Sequence, residues 1–457
     1  MSRDYEALIE DLSFNIDEDI DVDMNILENI DGYISQGIKN AKKIKRRKKR
    51  KLIAAFSAAV FCIAFVSLIR ISPAFAKAIS NIPGFYNIVF FIQSDMGLAD
   101  AIKNDLVQPI NQTIEHDEVA ITLREMIIDE KEGMLVYTIE NKGSHRFIKL
   151  YDIRLMDNKG KEIKIDTAFP SNTGEDFQIY KRINRSLKFS FPDGTEIPEN
   201  FTINIELKET ENESLGPFIK LPYKWSFDIN IDKNKFDNKI KNYDINQGVE
   251  IEGQKITFTS ISITPMKSEL YFEYNPNNTK KILSLNDIVI SDEEGNIRKS
   301  TSFIGMPTEI GDNRYVMYFE SSYFFESKEL YIKGSELNAV DKEKELIVFD
   351  IDKKKIIQAP DDRLQLLGIS SDLDKVEITF KLVGITKADM SGEYIPFMGV
   401  WQDNKGRDLN LLVRDGGGIN IRDRNVIEIS DNIEYPISFK LINYPQRIKE
   451  EFKVKVK

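Results

Sequence analysis

The stretch YDIRLMDNKGKEI, residues 151–163, decides the fold because it recurs as NDIVISDEEGNIR at residues 286–298, an offset of 135. Both copies alternate apolar and polar residues and then break at a polar turn that contains Gly. Alternation with a period of two is typical of a β-strand with one buried face, and such a turn is typical of a hairpin. A related stretch, GVWQDNKGRDL, occupies residues 399–409. The repetition predicts related β domains.

The spacing around these stretches also repeats. An interval of seven residues recurs in Ile128 to Leu135, Ile263 to Leu270 and Ile369 to Val376. Each copy is expected to close on an alternating strand: Trp225/Phe227/Ile229, Ile347/Phe349/Ile351 and Phe452/Val454/Val456. We therefore predict a mainly β fold with three tandem immunoglobulin-like β-sandwiches at residues 113–235, 236–356 and 357–457. Polar linkers are expected near 233–243 and 352–362.

Charge is sharply segregated before these domains. Residues 1–38 hold eleven acidic side chains and one basic one, whereas residues 39–51 hold ten basic side chains and no acidic one. Residues 52–69, LIAAFSAAVFCIAFVSLI, follow with serine as the only polar type. Such a helix would be about 27 Å long, close to the roughly 30 Å of a hydrocarbon core. The pattern predicts a single transmembrane α-helix over 52–70.

The basic run predicts the orientation of this helix. Positive residues favour the cytoplasmic side, so residues 1–51 are expected in the cytoplasm and residues 71–457 outside the cell membrane. The run also suits anionic lipid, and we call its last seven residues the membrane collar: Lys45, Arg46, Arg47, Lys48, Lys49, Arg50 and Lys51. A cleaved signal peptide is the alternative, because residues 74–76 read Ala-Phe-Ala.

The apolar spacing in the tail predicts two short amphipathic helices, the second beginning near Asp23. About fifty residues cannot bury a core of their own, so this tail is either disordered or folds on a partner. An acidic surround suits a partner with a basic surface. The predicted anchors for that partner are the apolar side chains Leu8, Ile9, Leu12, Ile26, Ile30 and Ile34.

Between the predicted span and the first sandwich, residues 71–112 read as a juxtamembrane helical segment. Pro73, Pro83 and Gly84 divide it into short helices. Its aromatic side chains, among them Phe85 and Tyr86, suit either the bilayer interface or packing against the first sandwich.

The sequence offers little for chemistry. Its only cysteine, Cys62, lies in the apolar run, and its two histidines, His116 and His145, are expected at the surface of the first sandwich. Catalytic motifs of the Ser–His–Asp, HExxH and GxGxxG types are missing. The acidic stretch 292–296 could bind calcium weakly, but a hairpin turn explains it better. We expect no enzymatic activity, no cofactor and no metal, and the net charge of −11 argues against direct nucleic-acid binding.

Four short motifs carry a family resemblance: SPAFA at 72–76, IPG at 82–84, GLADAI at 97–102 and QPIN at 108–111, followed by VAITLREMIIDEKEGMLVYTIEN at 119–141. With them the chain resembles the domain of unknown function 4179, found in membrane-anchored proteins of Gram-positive bacteria that resemble anti-sigma factors. The resemblance implies a role in signal transduction and transcription regulation, in which the tail sequesters an extracytoplasmic-function sigma factor. It carries no catalytic residues.

Under this hypothesis the outer sandwiches sense an envelope or wall ligand. The tail has no zinc-binding His/Cys motif, so sigma-factor binding depends on the helix pattern and the topology. The alternative is a membrane-anchored surface binding or adhesion protein whose tail is only an anchor.

Overall fold

The structure is a computed structural model that describes residues 95–143, 145, 147–168, 182–192, 194–210, 218–236, 239–302, 305–372, 374–386, 398–415, 422–428 and 433–457. This part of the chain is mainly β, which confirms the predicted fold class, and its α-helix is α1, Met96–Lys103. Among these residues no helix is both long and apolar enough to cross a membrane. The predicted span 52–70, the partner anchors and the membrane collar lie outside the described residues.

The first two sheets, which we call module 1, share one buried core. Their strands are β1 (Gln108–His116), β2 (Val119–Ile128), β3 (Glu132–Asn141), β4 (Phe147–Asp157), β5 (Glu162–Ile163), β6 (Asp166–Ala168), β7 (Arg182–Ser190), β8 (Asn200–Thr210) and β9 (Ile219–Asn230). One sheet has the order β1-β2-β3-β7-β6 and the other β5-β4-β8-β9. Trp225 is fully buried between them, and its Nε1 donates to the carbonyl oxygen of Val119 at 3.2 Å.

The next two sheets form module 2. Their strands are β10 (Lys241–Ile251), β11 (Gln254–Ile263), β12 (Lys267–Tyr274), β13 (Lys280–Leu285), β14 (Val289–Asp292), β15 (Ile297–Lys299), β16 (Thr308–Gly311), β17 (Arg314–Glu320), β18 (Leu330–Asp341) and β27 (Arg447–Lys455). The order β10-β11-β12-β17-β16 repeats that of module 1, and β15-β14-β18-β27 repeats β5-β4-β8-β9. Strands β2 and β11 begin and end 135 residues apart, so the repeat read from the sequence holds in three dimensions.

Module 3 contains the remaining strands. They are β19 (Leu346–Asp350), β20 (Lys355–Gln358), β21 (Leu364–Asp372), β22 (Lys375–Leu382), β23 (Met398–Gln402), β24 (Leu411–Asp415), β25 (Arg422–Glu428) and β26 (Ile437–Asn443). Its sheets have the orders β20-β19-β26-β23 and β21-β22-β25-β24. Its core contains Phe349, Phe380 and Trp401.

The closing strands differ from the sequence-based expectation. Strand β27 does not close module 3: it pairs with β18, with Val454 opposite Ile332, and it completes the core of module 2. Strand β19 was expected to close the second copy but lies beside β26 in module 3, with Phe349 opposite Ile437. Module 3 is thus inserted between the last two strands of module 2. The boundaries 236–356 and 357–457 do not describe this arrangement.

Two further positions differ. The stretch 352–362, expected to be a linker, lies inside module 3, since β20 within it pairs with β19. The first sandwich was expected at 113, but β1 begins at Gln108, inside the segment read as helical. The physical reason is the same in both cases. Alternation identifies a strand and its buried face, but it does not identify the sheet edge on which the strand pairs.

The three turns in the repeated stretches are confirmed as hairpin turns. In the first, Asp157 Oδ1 accepts from the backbone N–H groups of Lys159 and Lys161, each at 2.8 Å. Asp292 accepts from the N–H of Asn296 at 2.8 Å, and Asp403 holds the third turn in the same way. An Asp that bonds to the backbone N–H groups after it stabilises such a turn.

Candidate functional site at the joint of modules 1 and 2

The site begins with helix α1, which carries the GLADAI motif. Asp95 caps it, because its Oδ1 accepts from the backbone N–H of Leu98 at 2.9 Å. At the other end the side chain of Asn104 donates to the carbonyl oxygen of Asp100 at 2.8 Å. A cap at each end lets an eight-residue helix hold its shape when it also packs against a surface.

Helix α1 packs against both modules. Its buried side chains share one apolar cluster with residues of β2 and β3 and with the turn between β11 and β12: Leu98, Ala101, Leu106, Ile127, Met134, Val136 and Met266. The approach to module 2 is very close at Gly97. A Cβ atom on Gly97 would lie 2.2 Å from the backbone nitrogen of Ser321, so a side chain cannot be accommodated there.

Polar contacts fasten the helix to module 2. The backbone N–H of Met96 donates to Glu320 Oε1 at 2.9 Å. The guanidinium of Arg298 is almost completely buried, pairs with Asp100 and donates through Nε to the carbonyl oxygen of Ser321 at 2.6 Å. A buried guanidinium needs such partners, because an unpaired buried charge is costly.

A direct contact joins the modules beside the helix. Asp129, in the β2–β3 turn, is 1% exposed, and its Oδ2 accepts from the backbone N–H of Met266 at 2.8 Å. Its Oδ1 accepts from the N–H groups of Lys131 and Glu132 in its own turn. Met266 lies in the β11–β12 turn, the equivalent turn of module 2. The two repeats therefore meet turn against turn.

Charged side chains, of which Glu132, Lys267 and Glu269 are buried, surround this contact. The carboxylate oxygens of Glu132 lie 2.8 Å from Lys188 Nζ and 3.9 Å from Lys267 Nζ. Lys267 in turn lies 3.0 Å from Glu269, and Lys131 lies 3.2 Å from the same carboxylate. Glu132 and Lys267 are themselves 135 residues apart. Opposite charges thus alternate across the joint.

The pKa values at the joint follow from burial and from these pairs. Burial raises the pKa of the Glu132 carboxyl, and the nearby Lys188 and Lys267 only partly oppose it. Burial would lower the pKa of Lys188, but Glu132 and Asp95 outweigh it and raise that pKa. Burial would raise the pKa of Glu269, but Lys267 and Lys131 outweigh it and lower that pKa. The charge states at the joint therefore depend on residues of both modules.

Helix α1 and the charged side chains of the joint connect modules 1 and 2. Among the described residues, no group of three or more His, Cys, Asp or Glu side chains is placed to hold a metal ion. A cleft of about 380 Å³ opens next to the joint and is lined by residues that include Lys131, Asn242, Asp244 and Tyr271. Because α1 touches both modules, a change in their relative orientation must alter its contacts.

The two histidines are half-buried rather than fully at the surface. His116 stacks on Tyr223, with ring centroids 5.5 Å apart. His145 Nδ1 lies 2.6 Å from Glu209 Oε2, and its Nε2 lies 3.3 Å from the carbonyl oxygen of Asp117. Burial would lower the pKa of His145, but Glu209 and Asp117 outweigh it and raise that pKa. This link ties three separate elements of module 1 together.

GLADAI is recognisable in the sequence as a motif, but neither its docking role nor the joint could be predicted from it. The partner anchors and the membrane collar are not brought together with it, because they fall outside the described residues. One signal was present in the sequence. In the repeat, Asp129 corresponds to Thr264 and Glu132 corresponds to Lys267. The charge therefore differs at equivalent positions of two otherwise similar hairpins.

Comparison with known proteins gives two family matches. Residues 45–141 match DUF4179, a domain of unknown function, and residues 240–367 match DUF5643, a family of unknown function. The first match contains α1 and strands β1–β3, and the second contains the turn that bears Met266. The two matched segments thus meet at the joint.

No curated protein matches the chain. Among solved structures, a conserved domain protein from Bacillus anthracis is similar at 12% identity and a TM-score of 0.35, covering 55% of this chain and 85% of that one. The resemblance read from the SPAFA, IPG, GLADAI and QPIN motifs is confirmed, because residues 45–141 match the DUF4179 family.

Proposed function

We propose that the chain is a single-pass membrane regulatory protein that acts as an anti-sigma factor. Residues 1–51 lie in the cytoplasm and sequester an extracytoplasmic-function sigma factor through the two apolar stripes. Residues 52–70 span the membrane. The modules outside are immunoglobulin-like sandwiches that sense a ligand or a condition of the envelope. The chain acts by binding, without enzymatic activity.

One observation carries this proposal: the order of segments in the matched residues 45–141. A basic run is followed by an apolar run of membrane-spanning length, and then by a helix fixed between two outer modules. The positive-inside rule assigns the basic side to the cytoplasm. In a chain with this order of segments, the transmembrane segment connects the joint of modules 1 and 2 outside the cell to the tail in the cytoplasm.

Helix α1 gives the proposal a mechanism. It contacts module 1 through the cluster with Ile127 and Met134, and module 2 through Glu320 and Arg298. A ligand or a force that changes the angle between the modules would break one set of these contacts. Proteolysis outside the membrane and then within the span would follow. The tail would release its partner.

The test uses the full chain with a carboxyl-terminal tag, recovered from membranes with its bound proteins. A variant with Leu8→Asp, Ile26→Asp and Ile30→Asp should lose the sigma factor, because charges on the stripes prevent burial against a partner. The matched control adds three acidic side chains at positions off the stripes: Ala7→Asp, Met24→Asp and Asn25→Asp. Recovery of no sigma factor with the unaltered chain, where a known pair is recovered, would refute the proposal.

The surface binding or adhesion protein is the second candidate. It is favoured by the exposed aromatic and lysine side chains of module 1, such as Tyr151 at 48% and Phe218 at 43% exposure. It predicts that deletion of residues 2–38 leaves the function intact. Loss of function on that deletion would exclude it.

A further inference from the structure

We infer that the solvent-exposed face of the β4–β8–β9 sheet binds a linear phosphate-bearing polymer. This inference rests on the proposed function, because the face meets an envelope polymer only if module 1 lies outside the cytoplasm. It adds the chemical class of the ligand and the residues that bind it. We call these residues the lysine row: Lys149, Lys208 and Lys220 on the three strands, with Tyr151 and Phe218 beside them.

The lysine row is unusual because its charges stand directly opposite one another. Lys149 on β4 pairs in register with Lys208 on β8, and Lys208 pairs with Lys220 on β9. Like charges at directly opposed positions destabilise a sheet. The chain as a whole has a net charge of −11, so this positive row is a local feature of the face. The three ammonium groups together give this part of the face a positive charge that attracts an anionic ligand.

Aromatic rings hold the ammonium groups near one another. Lys208 Nζ lies 4.4 Å from the centre of the Phe218 ring, and Lys149 Nζ lies 5.3 Å from the same centre. Lys220 Nζ lies 5.2 Å from the centre of the Tyr151 ring. Cation–π contacts of this kind orient an ammonium group. Glu206, 2.6 Å from Lys220, neutralises one end of the row.

The shape of the face selects a chain rather than a small anion. Neighbouring strands lie about 5 Å apart, so three lysines span about 10 Å across the sheet. The face is open: Tyr151, Phe218 and Ile219 are 48%, 43% and 61% exposed. A small anion needs a concave site, whereas a polymer gains affinity by contacting several groups of an open surface together.

The lysines and the exposed apolar side chains of the face suit a ligand that carries phosphate groups on a carbon backbone. Lysine binds phosphate as a compact point charge. The exposed rings and Ile219 offer an apolar surface for the carbon atoms between successive phosphates. Both features match a polyol-phosphate or sugar-phosphate chain, whose charges repeat along a partly apolar backbone.

The test measures binding of a fluorescently labelled synthetic oligo(glycerol phosphate) to the full chain in nanodiscs of phosphatidylcholine, by fluorescence anisotropy. The test variant carries Lys149→Gln, Lys208→Gln and Lys220→Gln. The matched control changes three exposed lysines of module 3: Lys353→Gln, Lys375→Gln and Lys405→Gln. We expect the test variant to bind at least tenfold more weakly and the control to bind like the unaltered chain. Added salt should weaken the binding.

Folding is monitored by thermal unfolding of each variant. Each variant should remain folded at the temperature of the binding assay, so weaker binding cannot be attributed to unfolding. Equal binding by all three chains, or no binding by the unaltered chain, would overturn the inference. The inference would also be overturned if the variants differed only in their binding to vesicles made of equal amounts of phosphatidylglycerol and phosphatidylcholine. A membrane surface would then be the ligand. Sigma-factor recovery does not enter this assay, so the two proposals can fail separately.

Discussion

The carboxylate of Asp129 accepts a hydrogen bond at 2.8 Å from the backbone N–H of Met266, which joins module 1 to module 2. Each residue lies in the same hairpin turn of its own repeat. The contact is buried, and charged hydrogen bonds in a buried place are stronger than neutral ones. Asp129 therefore both shapes its own turn and fixes the neighbouring module.

The first prediction concerns this aspartate. Asp129→Ala should destabilise the joint by about 3–5 kcal/mol, because the buried backbone N–H groups of Met266, Lys131 and Glu132 lose their acceptor. Asp157→Ala, which removes an acceptor from an exposed hairpin, should cost less than about 1 kcal/mol. Urea unfolding measures the loss of stability in each variant, and hydrogen exchange shows which of the two turns is affected. Equal effects of the two substitutions would contradict the assigned role.

The second prediction concerns the docking of α1. Gly97→Ala should displace the helix, because the added Cβ would collide with the backbone at Ser321. Strained contacts of this kind cost about 2–3 kcal/mol. Gly248→Ala in β10 is the control, because the nearest atom to its Cβ lies at 3.9 Å. Hydrogen exchange in residues 96–106 should accelerate in the first variant alone. Unchanged exchange there would show that the helix is not held by this approach.

The third prediction tests the inserted module. Removal of residues 447–457 should open module 2, because β18 loses its partner and the core loses Ile448, Val454 and Val456. Module 3 should keep its protection, since β19 and β26 pair without these residues. Hydrogen exchange resolved by peptide distinguishes the two modules. Faster exchange in β26 with unchanged exchange in β18 would favour the tandem arrangement.

The fourth prediction is a pH dependence at His145. Its pKa is raised in the folded chain by Glu209 and Asp117, so folding favours the protonated ring. The stabilisation is fully present below the unfolded pKa of about 6.5 and is lost as the pH rises through the higher folded value. The melting temperature of the unaltered chain should fall across that window, and that of His145→Gln should fall less. His116→Gln is the control and should keep the fall.

Much of each module could be predicted from the sequence. The alternation in residues 119–141 and 147–157 identified strands, and Asp157 and Gly160 identified a turn, because these signals are local. The offset of 135 residues predicted which hairpins correspond. The joint of modules 1 and 2 could not be predicted in the same way. Its central pairs, Asp129 with Met266 and Glu132 with Lys267, join residues far apart in the chain that no local pattern links.

By itself, then, the sequence determined the mainly β class, the repeated hairpins and the segregation of charge before residue 52, since periodicity and composition act over short distances. Only the tertiary structure decided that β27 completes module 2 and that β19 belongs to module 3. It also decided that GLADAI is a docking helix and that Lys149, Lys208 and Lys220 form one row. The physical reason is that strand pairing and helix docking depend on which edges and surfaces are open after the neighbouring elements have packed, and that is a property of the whole chain.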